Sequence, residues 1–365
     1  MKELEVLNKL VSIRSDESQK EILNYIEDKL KNSVEEILYV ANKENNNLNM
    51  LVGINTKLKD IEPIVLSGHI DTVIADEKSY NTNPYELVVI NDRAYGLGVI
   101  DMKCFTASII DLIKVLRKYD YPIVVALTCD EETDFYGINN VIKKMKELNI
   151  KPKFTIIGEP TSLEIKSASN GCFEYKVEVY GKRCHSSKPS EGVNSICVLA
   201  KLVTYIEMLA NEYDDLTMSC NLINGGSAIN IVADYASLGF DIRTSNVDNY
   251  NEVVNLIEKE INNLEIEYKC KIDFTNTLKI PPLVIKKESI IKELSISLNL
   301  NVSKFDGGCE AGYYSEYSGD AILFGVGDLL LAHKPNEYMI VKDYYIYNEL
   351  LINMLDKLKT ILQSE

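Results

Sequence analysis

The sequence predicts an α/β core built on a mostly parallel, mixed sheet, with an α+β block inserted into it. Three observations carry this. Up to residue 157, short apolar runs alternate with helical patterns, as expected of strands joined by helical crossovers. At Gly171 the texture changes, and Phe173–Tyr180 reads FEYKVEVY, an alternation that suits a sheet with one wet face. After Pro281-Pro282 long helical patterns return around one further buried run.

Two helical patterns open the chain, at 3–13 and 17–30, with Ser15 and Asp16 as cap candidates for the second. Apolar runs at 36–40, 50–54 and 64–66 are bounded by turn residues and read as strands. A helix at 103–118, a strand at 123–129, a helix at 137–148 and a strand at 154–157 complete the first stretch. The inserted block reads as a strand at 173–180, a helix at 194–210 and strands at 218–222 and 235–242, closed by a helix at 248–264 and a strand at 266–274. Helices at 287–298 and 342–361 then flank a buried strand at 321–324. The expected organisation is one domain from 1–170 and 281–365, with 171–280 inserted as a second.

Composition narrows the function classes. Of 365 residues, 46% are hydrophobic and 26% charged, which excludes disordered, collagenous and disulfide-scaffold chains. The net charge of −16 provides no basic face, so nucleic acid is not an expected partner; the acidity serves solubility. The opening MKELEVLNKLVSIRSDESQ mixes acids with apolar residues and is no signal peptide. No run approaches the ~20 apolar residues of a membrane span, so no membrane association is expected. The eight cysteines form no CxxC pair and read as reduced, small hydrophobes in a cytoplasmic protein.

Chemistry-bearing residues gather where strands end. His69 follows the run IVL, and Asp71, two residues on, shares its side of an extended chain. An imidazole is a good zinc ligand when a carboxylate holds its other N–H, which is the role Asp71 is placed for. Asp101 follows Gly96-x-Gly98 at a helix start; it is either an N-cap or a carboxylate able to bridge two cations. The glycines lack the third member and the flanking strand of a dinucleotide fingerprint. Glu131 and Glu132 follow IVVALTCD and point opposite ways if extended, giving either one ligand and one non-ligand or a solvated acidic loop. Glu159 follows the next buried strand, and His333 lies in a late polar loop. Ligands of open α/β sheets gather at the carboxyl ends of strands, so these positions are expected to converge. Two histidines with three or more carboxylates suit zinc or cobalt better than magnesium or an iron–sulfur cluster.

The motifs HxDTV (His69–Val73), GxGxxDMK (Gly96–Lys103), DEE (Asp130–Glu132), GEP (Gly158–Pro160) and HxPNE (His333–Glu337) occur in the order seen in the M20 family of di-zinc aminoacylases and peptidases. The sequence resembles that family over almost its whole length. GKxxHSSxP (Gly181–Pro189) and GGxAxNxxxxxAxxxxDxR (Gly225–Arg243) resemble its lid and dimerisation domain. The resemblance implies a zinc-exopeptidase-like catalytic domain holding two Zn2+ or Co2+ ions per subunit. One ion would be held by His69, Glu159 and Asp101, the other by Asp101, Glu132 and His333, with a cis bond from Asp101 to Met102. It also implies Glu131 as general base, Asp71 as the residue orienting His69, and His185, Asn230 and Arg243 as substrate-serving residues of the lid. His185 would reach the partner's site in a homodimer formed through the lid.

Two positions depart from the family's pattern. Cys104 stands where glycine usually follows DMK, a small-for-small change expected to be tolerated. Cys309-Glu310 replaces the Ser-Asp pair of the desuccinylase branch, and Phe105 with Glu310-Ala311 resembles the acetylornithine deacetylase branch. The expected reaction is therefore hydrolysis of the amide of a small N-acyl amino acid, acetyl before succinyl, in amino-acid (arginine) biosynthesis. Its rivals are succinyl-diaminopimelate desuccinylase and an M20 dipeptidase or carboxypeptidase. An inactive, metal-bound amino-acid-binding relic would be expected to have lost Glu131 or a ligand, and none is lost.

Overall fold

The computed structural model describes residues 4–16 and 18–364. The chain folds as two compact units, one running to Ser169 and resuming at Leu283, the other Asn170–Pro282. Among the described residues no helix is long and apolar enough to cross a membrane.

The first unit opens with α1 (Glu5–Val11) and α2 (Gln19–Leu30). The expected starts at Glu3 and Glu17 lie outside the described residues. Neither Ser15 nor Asp16 caps α2; Ser18 occupies that position without a side-chain bond. Then come β1 (Glu36–Ala41), β2 (Leu48–Ile54), β3 (Ile64–His69), β4 (Val88–Ile90), β5 (Arg93–Tyr95), α3 (Lys103–Leu116), β6 (Ile123–Thr128), α4 (Tyr136–Glu147), β7 (Phe154–Ile157) and β8 (Ile165–Ser169). Strands β3, β6 and β7 are buried along their whole length, as interior parallel strands covered on both faces must be. Helix α3 packs close to them because two strand-end residues are glycine. A Cβ added at Gly68 or at Gly158 would come within 2.6 Å of Phe105.

The second unit comprises β9 (Gly171–Tyr180), α5 (Ser195–Ala210), β10 (Leu216–Gly225), β11 (Tyr235–Thr244), α6 (Val247–Tyr268) and β12 (Lys271–Ile280). Its sheet is antiparallel in the order β10-β11-β9-β12, with its own core from Phe173, Val177, Leu202, Phe240 and Ile257 among others. Asn194 caps α5 by accepting from Ile196 N, and Asn246 caps α6 by accepting from Asp248 N and Asn249 N. The expected strand at 266–274 is corrected here. The helix continues to Tyr268 and leaves Ile266 exposed on its outer side; the chain then turns through Lys269 at φ +51° before β12 begins.

The first unit resumes with α7 (Glu288–Leu298), β13 (Val302–Phe305), α8 (Ala311–Tyr317), β14 (Asp320–Leu323), β15 (Tyr338–Ile340) and α9 (Val341–Ser364). Its eight-stranded sheet runs β1-β2-β6-β3-β7-β14-β8-β13. β3 is parallel to both β6 and β7, and β14 is parallel to β7. β1, β2 and β6 pair antiparallel, which makes the sheet mixed. Register places His69 opposite Thr128 and Ser67 opposite Ile157, so the segments leaving β3, β6 and β7 emerge at one edge. There the chemistry lies.

Candidate metal and catalytic site

The five strand-end and loop residues meet unevenly. His69 Nε2 lies 2.9 Å from Asp101 Oδ1, and His333 Nε2 lies 3.2 Å from Asp101 Oδ2. The two oxygens of one carboxylate thus divide between two histidines from distant parts of the chain. His333 Nε2 is also 2.9 Å from Glu132 Oε2. One ligand atom each from His69, Asp101 and Glu132 falls within 4.8 Å of the others. Glu159 is buried, and its Oε1 has no hydrogen-bond partner. The Asp101–Met102 peptide is cis.

Asp71 holds His69 differently from expectation. His69 Nδ1 pairs at 3.0 Å with the backbone carbonyl of Asp71, while the Asp71 carboxylate stands at 3.7 Å and accepts instead from Glu132 N. A carbonyl can orient the ring as a carboxylate does, because it too accepts a hydrogen bond from Nδ1–H and so keeps the Nε2 lone pair for a ligand. Asp71 therefore touches both the His69 and the Glu132 segments, with Oδ1 making no hydrogen bond.

Electrostatics test whether this set fits a metal. Burial pushes Glu131 well up and Glu159 to about 8, with the Asp101 charge adding to both. Burial likewise raises Asp71, to about 6. Burial opposes charge on Asp101 too, but hydrogen bonds to His333 and His69 hold it well below the usual range. His333 is raised to about 10 by its bonds to Asp101 and Glu132. So many acids in one buried cluster cannot all ionise without a positive charge among them. Two imidazoles, crowded carboxylates and orphaned buried oxygens form a donor set suited to divalent zinc-like cations. The residues fit the group.

One residue of the DEE motif is given no role by the sequence. Asp130 sits at φ +63° immediately before Glu131 and Glu132. Its carboxylate accepts from the side-chain amides of Asn42 at 2.5 Å, Asn45 at 2.8 Å and Asn47 at 2.7 Å. Its carbonyl accepts from Asp134 N and Phe135 N. The signal for it is the asparagine-rich run NKENNNLN at 42–49, but nothing in that run names its target. Of the departures noted, Cys104 is buried at the start of α3. Glu310 is buried 3.5 Å from Ser67 Oγ, its carboxyl pushed up to about 7 by burial.

In the second unit, His185 is exposed and its Nδ1 lies 2.8 Å from Ser187 Oγ. Ser186 N donates to Asn230 O, so His185 and Asn230 are held side by side near the Tyr235 end of β11. Arg243 lies toward the other end of β11, its Nε donating to Asp241 Oδ2 at 2.8 Å. At ~3.3 Å per residue the strand from Tyr235 to Arg243 spans roughly 26 Å. The second unit does not bring these three residues together.

Residues 65–357 match peptidase family M20/M25/M40. The chain belongs to this family. It is 33% identical over 346 residues to the acetylornithine deacetylase of Buchnera aphidicola subsp. Schizaphis graminum, covering 89% of this chain and 87% of that relative. A tripeptidase from Staphylococcus aureus shares the fold at a TM-score of 0.76 and 19% identity, over 96% of each chain. A dinuclear metal-binding M20 peptidase from Bacillus subtilis does so at 0.69 and 14%, again over 96% of each. As an M20 hydrolase, the protein is a metal-dependent amidohydrolase, and the cluster around Asp101 is its candidate metal centre.

Proposed function

We propose that this M20 hydrolase removes the acetyl group from N-acetylornithine, acting in the cytoplasm as a homodimer with two Zn2+ or Co2+ ions per subunit. The observation that carries the chemistry is the division of the Asp101 oxygens between His69 and His333. His69, Asp101 and Glu159 would hold one ion, and Asp101, Glu132 and His333 the other. The substrate reading is supported by the similarity to acetylornithine deacetylases and by Glu310-Ala311.

When bound, the two cations supply Lewis acidity toward the amide carbonyl and lower the pKa of water. Glu131 takes the proton from the attacking water and passes it to the leaving amine. Burial raises the Glu131 pKa, which makes its ionised carboxylate a stronger base toward that proton. The Asp71 carbonyl engages His69 Nδ1, which leaves Nε2, the nitrogen facing Asp101, as the one that would ligate. His185 would stabilise the oxyanion with Asn230 alongside, and Arg243 would clamp the substrate α-carboxylate as a fork.

The separation of His185 and Asn230 from Arg243 along β11 supports a dimer. One small substrate can meet both ends of that strand only if two copies contribute. The β10 edge, with Leu222 and Ile223 exposed, supports pairing through the second unit. The test is a hydrolysis screen of the Zn2+- or Co2+-loaded protein against N-acetylornithine, N-succinyl-diaminopimelate and simple dipeptides. N-acetylornithine is expected to show the highest kcat/KM. A preference for either other class would reject the substrate reading, and full activity after exhaustive chelation would reject the metal chemistry.

A further inference from the structure

Glu337 closes the late HKPNE segment and has no part in the mechanism above. It is buried, and both of its oxygens are occupied by backbone donors from a single loop. Gly98 N donates to Oε2 at 3.0 Å; Ile100 N and Asp101 N donate to Oε1 at 2.7 and 3.3 Å. Gly96 N donates to the Glu337 carbonyl at 3.2 Å. The loop can turn these N–H groups toward one point because Gly98 adopts φ +71°. Such a concave array of amides is the kind that binds anions, and here the anion is a side chain of the same chain.

The position of that side chain is what matters. Glu337 lies four residues after His333, and the loop it grips ends in Asp101. From Tyr338 the segment continues as β15, paired with β5, so Glu337 directly precedes a strand fixed by pairing. We propose that Glu337 is a positioning residue: by gripping the 98–101 amides, it fixes the Asp101 carboxylate relative to His333 and so sets the affinity of the two-ion site. This rests on the assignment of Asp101 and His333 as ligands. A carboxylate that bridges two ions tolerates little displacement, and outer partners that orient ligands carry ~10–100-fold in metal affinity.

The test is titration of metal-free protein with Zn2+ against a competing chelator, alongside Co2+ absorption spectra and thermal unfolding of the metal-free form. The variants are Glu337→Gln, which keeps the shape but offers one acceptor oxygen in place of two, and Glu337→Asp, which keeps the charge but withdraws it by one methylene. Both are expected to bind at least one ion ~10–100-fold more weakly while the metal-free form remains folded, with an altered Co2+ spectrum. Unchanged Zn2+ affinity in folded Glu337→Gln and Glu337→Asp would overturn the proposal. So would failure of both variants to fold, since Glu337 would then serve the fold alone. Wild-type protein that binds no Zn2+, or His333→Ala that binds as well as wild type, would instead reject the ligand assignment on which the proposal rests.

Discussion

Replacing Asp130 by alanine should destabilise the first unit by about 4 kcal/mol. The carboxylate accepts three amide hydrogen bonds, from Asn42, Asn45 and Asn47. Bonds to a charged acceptor contribute roughly 1.5–3 kcal/mol each, but only where water cannot replace them. Asn45 is exposed and Asn47 half-buried, so both amides rehydrate and together lose about 1 kcal/mol. Asn42 is fully buried, and its amide keeps only the Cys129 sulfur at 3.3 Å, a weak acceptor. Stranding it costs about 2 kcal/mol. Alanine at φ +63° adds roughly another 1 kcal/mol, since aspartate tolerates that region better. The assay is urea denaturation of the variant and of Asn45→Ala, compared at constant m-value. Asn45→Ala should lie within about 1 kcal/mol of wild type. A loss below about 1 kcal/mol for Asp130→Ala would refute the claim that the asparagine cradle holds this loop.

Other outcomes follow from the same geometry. Glu131→Gln should keep both metals yet lose on the order of 10²–10⁴ in kcat, whereas Glu132→Gln, which removes a His333 partner, should loosen one metal; equal metal loss by elemental analysis would show the roles misassigned. Gly158→Ala places a methyl against the Phe105 ring and should destabilise by about 1–3 kcal/mol, partly recovered by Phe105→Leu and read by thermal midpoint. Mixing Glu131→Ala with His185→Ala subunits should restore roughly a quarter of wild-type activity, because half the randomly exchanged dimers carry one site with Glu131 and His185 intact. No recovery in mixed dimers confirmed by mass would place His185 within its own chain or outside catalysis.

Much of this protein is legible along the chain. Runs such as IVL and IVVALT are continuously apolar because interior parallel strands are covered on both faces, and such runs can be recognised without knowing their neighbours. The polar residues that follow them must lie at strand ends, which is why His69, Glu131, Glu132 and Glu159 stand out in the sequence alone. The alternation of FEYKVEVY announces a sheet with one wet face for the same local reason. Local pattern falters where burial is incomplete. β8 and β13 escape it because their mixed, partly exposed residues have no clear period. The sequence pattern ends α6 at 264 because Ile266 and its neighbours mimic alternation. What only the tertiary structure decides are relations between distant segments: Asp101 divided between His69 and His333, Asp130 held by asparagines more than eighty positions away, and Glu337 gripping the 98–101 amides. Periodicity records how each residue meets solvent or core. A hydrogen bond between remote segments instead depends on the angle and register at which packed elements bring two groups within about 3 Å, and no local pattern encodes that.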